Sequence, residues 1–145
     1  MRIALLGLIL IALSGCFATT PTLNAPVDQA AYRYDGIDPA LQGDWVGFSK
    51  NQVSQDEMSF MLRLQRGVIT NVYYLSHKCA GRLKYQRTEP SGEFLFLEQI
   101  DIDKVSSCDK NSYVKFLPNP DGTVLYSRYT LEGKLIAKGL MSRKQ

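Results

Sequence analysis

The 145-residue chain has one histidine, one tryptophan and three cysteines. Metal sites built from several histidines or from Cys-x-x-Cys pairs are therefore excluded, and no Gly-x-Ser-x-Gly sequence is present to hold a serine nucleophile. The chain also lacks an apolar run of about 20 residues, which a permanent transmembrane helix needs. Its formal net charge is only +3, and this small excess does not argue for nucleic-acid binding.

The chain begins with a short apolar segment. One positive charge, at Arg2, precedes an apolar run from Ile3 to Leu13, and this order predicts a secretory signal peptide. The run has no polar face of the kind that an amphipathic soluble helix shows. The alternatives are an N-terminal membrane anchor or a buried helix, with Cys16 as an ordinary thiol.

The apolar run ends in Leu13-Ser14-Gly15-Cys16. These four residues resemble the lipobox of bacterial lipoprotein precursors, in which the cysteine becomes the first residue of the mature protein. The resemblance implies that the Cys16 sulfur carries diacylglycerol and that its amine carries an acyl chain such as palmitate. Together these chains exceed the two signals that stable membrane anchoring requires. In that family the next residue directs sorting, and Phe17 in place of aspartate implies the outer membrane.

The composition predicts one globular domain behind this anchor. Residues 1–15 are assigned to the signal peptide, 16–37 to a lipidated N-terminus with a flexible tether, and 38–145 to a β domain. The tether shows no lasting apolar period, whereas the chain as a whole has ordinary globular contents of 45% apolar and 21% charged residues. Asp38-Pro39-Ala40-Leu41 predicts a short helical turn, with Asp38 as its N-cap.

From Gly43 onward, apolar and polar residues alternate with a period of two. This pattern is typical of strands with one buried face, and turn sequences rich in glycine, proline and asparagine separate the segments. Short connections favour antiparallel neighbours. The fold class is therefore all-β, an antiparallel meander that removes its edges best by closing into a small β-barrel. Eight short strands are predicted, at 44–49, 58–64, 68–75, 82–87, 93–100, 113–117, 123–129 and 134–141.

Cys79 and Cys108 remain after Cys16 is assigned to lipid. In an oxidising compartment they predict a disulfide; the alternatives are two free thiols or half of a metal site. In an antiparallel meander, the connections after strands one, three, five and seven share one end. Cys79 is predicted in the third connection and Cys108 in the fifth, so the disulfide would join two loops at the end opposite the tether.

Leu41-Gln42-Gly43-Asp44-Trp45 resembles the opening of lipocalin-type barrels. In that family a short helical turn precedes a G-x-W strand, which closes the floor of the barrel. The resemblance implies that a late basic residue packs over the tryptophan, and Arg143 is the candidate. Alternatively, Trp45 is simply a core aromatic residue on an edge strand.

Candidate catalytic groups are few. His77 is close to Cys79 in sequence, but a Cys–His nucleophile pair would need a reduced Cys79. Glu98 and the aspartates near it in sequence could supply the pair of carboxylates that glycoside cleavage needs. The sequence, however, gives no sign of a cleft between them. We therefore predict a non-enzymatic protein with no catalytic residue, no metal and no cofactor. Three aspartates near Cys108 also lack the spacing of a calcium loop: Asp101, Asp103 and Asp109.

A basic run with tyrosines nearby is the candidate binding surface. It would hold a sugar or phosphate polymer through stacking and charge; the alternative is a solvated strand face. The predicted function is that of a membrane-anchored lipoprotein whose β domain binds an envelope protein or polymer, and no nucleic acid. The alternative functions are an inhibitor of a lysozyme or protease and a carrier of an apolar ligand. The candidate surface consists of Lys78, Arg82, Lys84, Arg87, Tyr73 and Tyr85.

Overall fold

The computed structural model describes residues 38–66, 69–103 and 108–145. The predicted signal peptide, the lipid-attachment residue Cys16 and the tether lie outside the described residues, as do Gly67 and Val68. Within the described ranges, no helix has the length and apolar character that crossing a membrane requires.

Eight antiparallel strands form a closed barrel in chain order, with the last strand paired to the first. The predicted all-β meander and its closure are confirmed. Several strands extend beyond the apolar alternation, since backbone pairing continues where the side chains are polar. The strands are β1 (Gly43–Asn51), β2 (Glu57–Leu64), β3 (Thr70–Tyr74), β4 (Cys79–Thr88), β5 (Phe94–Asp103), β6 (Asn111–Pro118), β7 (Val124–Tyr129) and β8 (Leu135–Arg143).

Aromatic side chains fill much of the barrel interior. The rings of Phe60 and Tyr126 lie 4.5 Å apart between centroids, and those of Phe96 and Phe116 lie 5.2 Å apart. Ring pairs at these separations stabilise a core beyond the area that they bury. The sequence left the inward face of β3 undecided; Thr70, Val72 and Tyr74 are its buried residues.

The predicted turn at 38–41 caps one end of the barrel, here called the Trp45 end. Asp38 Oδ1 accepts a hydrogen bond from Ala40 N at 2.7 Å, as an N-cap residue does. Trp45 Nε1 donates to Leu41 O at 2.8 Å. The guanidinium of Arg143 lies 4.8 Å from the centroid of the Trp45 ring, which is the contact expected from the sequence.

The opposite end of the barrel, here called the disulfide end, holds loops 52–56, 75–78 and 130–134 and the described residues 108–110 between β5 and β6. Cys79 and Cys108 form a disulfide there, with a Cα–Cα distance of 6.6 Å, so this prediction is confirmed. The position of Cys79 within a loop was wrong. Cys79 is the first residue of β4, because it pairs with Tyr74 of β3 on one side and Asp103 of β5 on the other.

The junction of β1 and β8 closes the barrel, and the two backbones approach most closely at Gly139. Gly139 pairs with Ser49. A Cβ atom at Gly139 would lie 1.9 Å from Phe48 O and 2.6 Å from Ser49 Cα. Only glycine fits between these backbone atoms, since the strands themselves would have to separate to admit a side chain.

Candidate functional site

The disulfide end opens into a polar cavity, here called the mouth. Its volume is about 300 Å³, at the small end of the range for ligand pockets. Residues from β1, β2, β7 and β8 and from three of the loops surround it. The lining residues are Ser49, Asn51, Ser54, Asp56, Met58, His77, Cys108, Asp109, Arg128, Ile136 and Ala137.

The disulfide fixes one side of the mouth. It ties the loop that carries Cys108 and Asp109 to the start of β4, and Asp103 Oδ2 accepts a further hydrogen bond from Cys108 N at 3.2 Å. Cys79, Asp103 and Cys108 bring possible metal ligands within 4.8 Å of one another. Both sulfurs are joined in the disulfide, however, so this cluster offers no thiolate to a metal.

A buried group of polar side chains lies inside the barrel beneath the mouth, and we call it the polar floor. Its centre is Glu98, which is 0% exposed. Tyr74 Oη donates to Glu98 Oε1. Ser112 Oγ donates to Oε2 at 2.5 Å, and Arg128 Nε donates to the same oxygen at 2.9 Å. Tyr126 completes the floor, with its hydroxyl 3.0 Å from that of Tyr74.

Burial and charge set the protonation states within the polar floor. Burial, together with the nearby Glu98 carboxylate, raises the pKa of Tyr74 well above its ordinary value of 10.0. Burial likewise raises the pKa of Tyr126. Burial alone would lower the pKa of Arg128, but the adjacent negative charge of Glu98 outweighs it, and the pKa is raised overall. At neutral pH the two phenols are therefore neutral and the guanidinium is charged.

Arg128 connects the polar floor to the mouth. Its Nη2 donates to the backbone oxygen of Asp109 at 3.3 Å, and its Nη1 lies 3.9 Å from Asp109 Oδ2. The Asp109 side chain is 64% exposed, so this second contact is a weak, solvated ion pair. Glu98 therefore holds Arg128 firmly within the polar floor. The Asp109 carboxylate remains largely accessible to a ligand at the edge of the mouth.

Ser49 differs from the other buried polar residues of this region. It is 3% exposed, and it lines the wall of the mouth. Among the described residues, its Oγ is the one buried side-chain polar atom without a hydrogen-bond partner. Since a buried hydroxyl without a partner is costly, Ser49 marks a point at which a ligand atom would be stabilised.

Exposed aliphatic side chains project from three loops around the mouth, and we call them the apolar tips. They are Val53 at 76%, Leu75 at 55% and Leu131 at 49% exposure. These residues lie in loops 52–56, 75–78 and 130–134 respectively. Among the described residues of the loops at the Trp45 end, none is an exposed large hydrophobic residue.

Three basic residues of the predicted surface lie on the outer face of β4. Arg82 lies on the outer wall, where its Nε donates to Asp101 Oδ2 at 2.7 Å. Arg87 Nη2 contacts Glu89 Oε1 at 2.9 Å near the Trp45 end. Lys84 is half-buried between these two arginines on β4. Both arginines therefore already have acidic partners, which weakens their attraction for an anionic polymer.

The remaining predicted surface residues lie apart from one another. Lys78 is exposed in loop 75–78 at the disulfide end. Tyr73 is exposed on the outer wall and lines a groove of about 320 Å³ with Met61 and Asn71. Tyr85 packs against Phe96 at 5.6 Å between ring centroids. Arg82, Lys84 and Arg87 thus lie along the outer face of β4, and Tyr73 lies beside them on β3. Tyr85 faces the core, and Lys78 lies in a loop.

Neither candidate catalytic pair has the arrangement that its chemistry requires. His77 lines the mouth, and its Nδ1 lies 3.1 Å from Ser76 Oγ, but Cys79 is consumed by the disulfide. Glu98 is inside the barrel, whereas Asp101 faces outward to Arg82. These two carboxylates therefore do not flank a common cleft.

Sequence reasoning missed the polar floor and the unpaired Ser49. A signal was present, because Glu98 is two residues after Phe96, and Arg128 is two residues after Tyr126. In a strand, residues two apart face the same side, so these charges share the face of core aromatics. Their opposite signs could have indicated an internal ion pair.

Comparisons with protein families, with characterised proteins and with solved structures found no match for this chain.

Proposed function

We propose that this protein is a lipid-anchored lipoprotein of the outer membrane that binds an envelope partner through the disulfide end of its barrel, without catalysing a reaction. The Leu13-Ser14-Gly15-Cys16 segment supports the anchor. The described chain begins at the Trp45 end, so an anchor attached there leaves the opposite end accessible to a partner.

The observation that carries this proposal is the arrangement of the apolar tips around the mouth. Val53, Leu75 and Leu131 are well exposed on separate loops. Exposed aliphatic side chains around a polar cavity suit an interface with another protein. The described loops of the Trp45 end carry no exposed large hydrophobic residue, which supports a partner at the disulfide end.

The filled interior argues against a carrier of apolar ligands. Trp45, Phe60, Phe96 and Phe116 are each no more than 1% exposed, and their rings occupy the space that a lipid chain would need. Inhibition of a lysozyme or protease is compatible with binding at the disulfide end, since inhibitory loops would come from there. Standard inhibition assays distinguish this case from a structural envelope partner.

Site-specific photocrosslinking in living cells tests the proposal. A photoreactive amino acid at Leu75 is expected to capture a discrete membrane-associated protein, and the same amino acid at Asp121, in the loop at the Trp45 end, is not. Val53→Asp combined with Leu131→Asp should abolish the adduct, since a charge at each tip would oppose burial. Equal capture from both positions, or capture unaffected by the two substitutions, would contradict the proposal.

The anchor is tested in the same cells. Wild-type protein is expected to incorporate labelled palmitate and to fractionate with the outer membrane. The Cys16→Ala variant should lose both properties, because it has no sulfur for the lipid. Membrane association that persists unchanged in this variant would show that the anchor assignment is wrong.

A further inference from the structure

The charges around the mouth are unbalanced. The positive charge of Arg128 is matched from beneath by Glu98, at 2.9 Å. Two further carboxylates, Asp56 and Asp109, line the same cavity. Two carboxylates and one guanidinium thus line the cavity, and Glu98 already balances the guanidinium. Among the described lining residues, Arg128 is the sole arginine or lysine side chain.

Strand order places the two lining carboxylates on opposite sides of the mouth. Asp56 is in the loop between β1 and β2, and Asp109 is in the connection between β5 and β6. In a closed ring of eight strands in chain order, these two loops are diametrically opposed. A group that enters the mouth would therefore have a carboxylate on either side.

Ser49 is an independent indication that a ligand belongs in this cavity. Ser49 lines the mouth, and its buried Oγ has no partner among the described residues. A hydroxyl oxygen has two lone pairs available as acceptors. A ligand rich in N–H donors would satisfy Ser49 and interact favourably with Asp56 and Asp109, whereas an anion would be repelled by both carboxylates.

The apolar part of the lining indicates which kind of group carries the positive charge of the ligand. Met58, Ile136 and Ala137 contribute to the wall of the mouth, and such surfaces suit the methylene stem of a lysine or arginine side chain. The volume of about 300 Å³ suits one side chain better than a drug-sized molecule. The surrounding apolar tips would then contact the partner's adjacent surface.

We propose that the mouth is a socket for a lysine or arginine side chain of the partner protein, held by Asp56, Asp109 and Ser49. This inference rests on the proposed function, since it names the partner group that the disulfide end recognises. The polar floor positions the wall of this socket through Arg128 and does not bind the ligand itself.

The first test uses the full chain in detergent micelles and follows backbone amides by NMR. N-acetyl-lysine amide and N-acetyl-arginine amide are the probes, and N-acetyl-norleucine amide and N-acetyl-glutamate amide are the controls. The two cationic probes are expected to give saturable shifts at Ser49, Asn51 and Asp109. Absence of saturable shifts, or equal shifts with norleucine, would overturn the socket.

Variants make this test specific. Asp56→Asn and Asp109→Asn should each weaken binding of the cationic probes about two- to fivefold, as expected for solvated ion pairs. Ser49→Ala should weaken it about tenfold, because a hydrogen bond to a charged group is lost. Glu132→Gln is the matched control, since it removes the same charge from an exposed loop residue outside the mouth lining. If Glu132→Gln weakened probe binding equally, the effect would come from the overall charge of the protein, and this result would overturn the socket.

Crosslinking separates failure of the socket from failure of the proposed function. Capture from Leu75 that is lost in the Asp56→Asn/Asp109→Asn double variant and kept in Glu132→Gln supports the socket. Capture that persists in the double variant overturns the socket and leaves the proposed function standing. Absence of capture from Leu75, Val53 and Leu131 in wild-type cells overturns the proposed function, and with it a partner side chain in the mouth.

Discussion

Glu98 and Arg128 bring opposite charges into the interior of a barrel only eight strands wide. Isolation of either charge from water would be very unfavourable. Both are stable here because Tyr74 and Ser112 supply further donors to the carboxylate, and because Arg128 extends to the Asp109 backbone. The polar floor thus depends on each residue having several partners.

Substitution of Glu98 by glutamine should destabilise the protein strongly. Arg128 would remain as a buried cation without its counter-charge, and loss of one partner of such a pair costs about 3–5 kcal/mol. The free energy of unfolding, measured with urea at neutral pH, checks this value. The Glu98→Gln/Arg128→Met double variant should be more stable than the sum of the two single substitutions predicts.

Asp44→Asn is the control for that measurement. Asp44 also pairs with an arginine, Arg63, at 2.5 Å, but both side chains are well exposed. This pair is screened by solvent, so its loss should change the unfolding free energy little. Similar destabilisation by both substitutions, or simple additivity in the double variant, would contradict the role of the polar floor.

Some contacts of individual residues could be predicted from the sequence, and others could not. The Cys79–Cys108 disulfide was predicted because the chain has so few cysteines, and the contact of Arg143 with Trp45 was implied by the G-x-W resemblance. Ser49 could not have been predicted. Alternation places Ser49 on the inner face, but only the arrangement of neighbouring strands shows that no described partner reaches its hydroxyl.

At the scale of the strand, a period of two predicts alternation but not where alternation is interrupted. The pairing of β4 with β5 shifts in register between Tyr85 and Arg87. Such an irregularity changes which side chains share a face. Tyr85 keeps the alternation of Leu83 and packs inward on Phe96, and the shift after it brings Arg87 to the outer face that Arg82 and Lys84 share.

The β1–β8 junction gives a prediction at the same scale. Gly139→Ala should destabilise the barrel by about 3 kcal/mol, the upper part of the usual range for overpacking, because the new Cβ would lie 1.9 Å from Phe48 O. Thermal unfolding followed by circular dichroism checks this expectation.

Gly122→Asn is the matched control for the junction. Gly122 has a φ of +84° and nothing within 4 Å of an added Cβ. Asparagine adopts the left-handed region more readily than most residues, so this change should cost about 1 kcal/mol or less. A variant at Gly139 as stable as the one at Gly122 would show that β1 and β8 are not closely packed there.

At the scale of the whole molecule, the two ends of the barrel have different characters. Arg143 and the turn at 38–41 close the Trp45 end through hydrogen bonds and stacking. The disulfide end retains a cavity with polar walls and apolar tips. A barrel closed at one end and open at the other is consistent with a single binding end.

Loss of the disulfide should reduce the stability of the whole domain. The cystine spans 29 residues, and closure of a loop of this length contributes about 3–4 kcal/mol in the chain-entropy model. The Cys79→Ser/Cys108→Ser variant should therefore unfold at a lower urea concentration than the wild type. Reductant should lower the wild-type midpoint and leave that of the variant unchanged; equal midpoints without reductant would contradict the prediction.

The pairing of Trp45 with Arg143 has a consequence for how the protein is made. A partial chain that contains β1 to β7 and lacks β8 would leave two open sheet edges, at β1 and β7. Such edges readily pair with other chains and cause aggregation. The barrel cannot close until β8 has been synthesised, and contacts so distant in sequence form slowly. An unfinished or shortened chain would therefore need a chaperone more than the complete protein does.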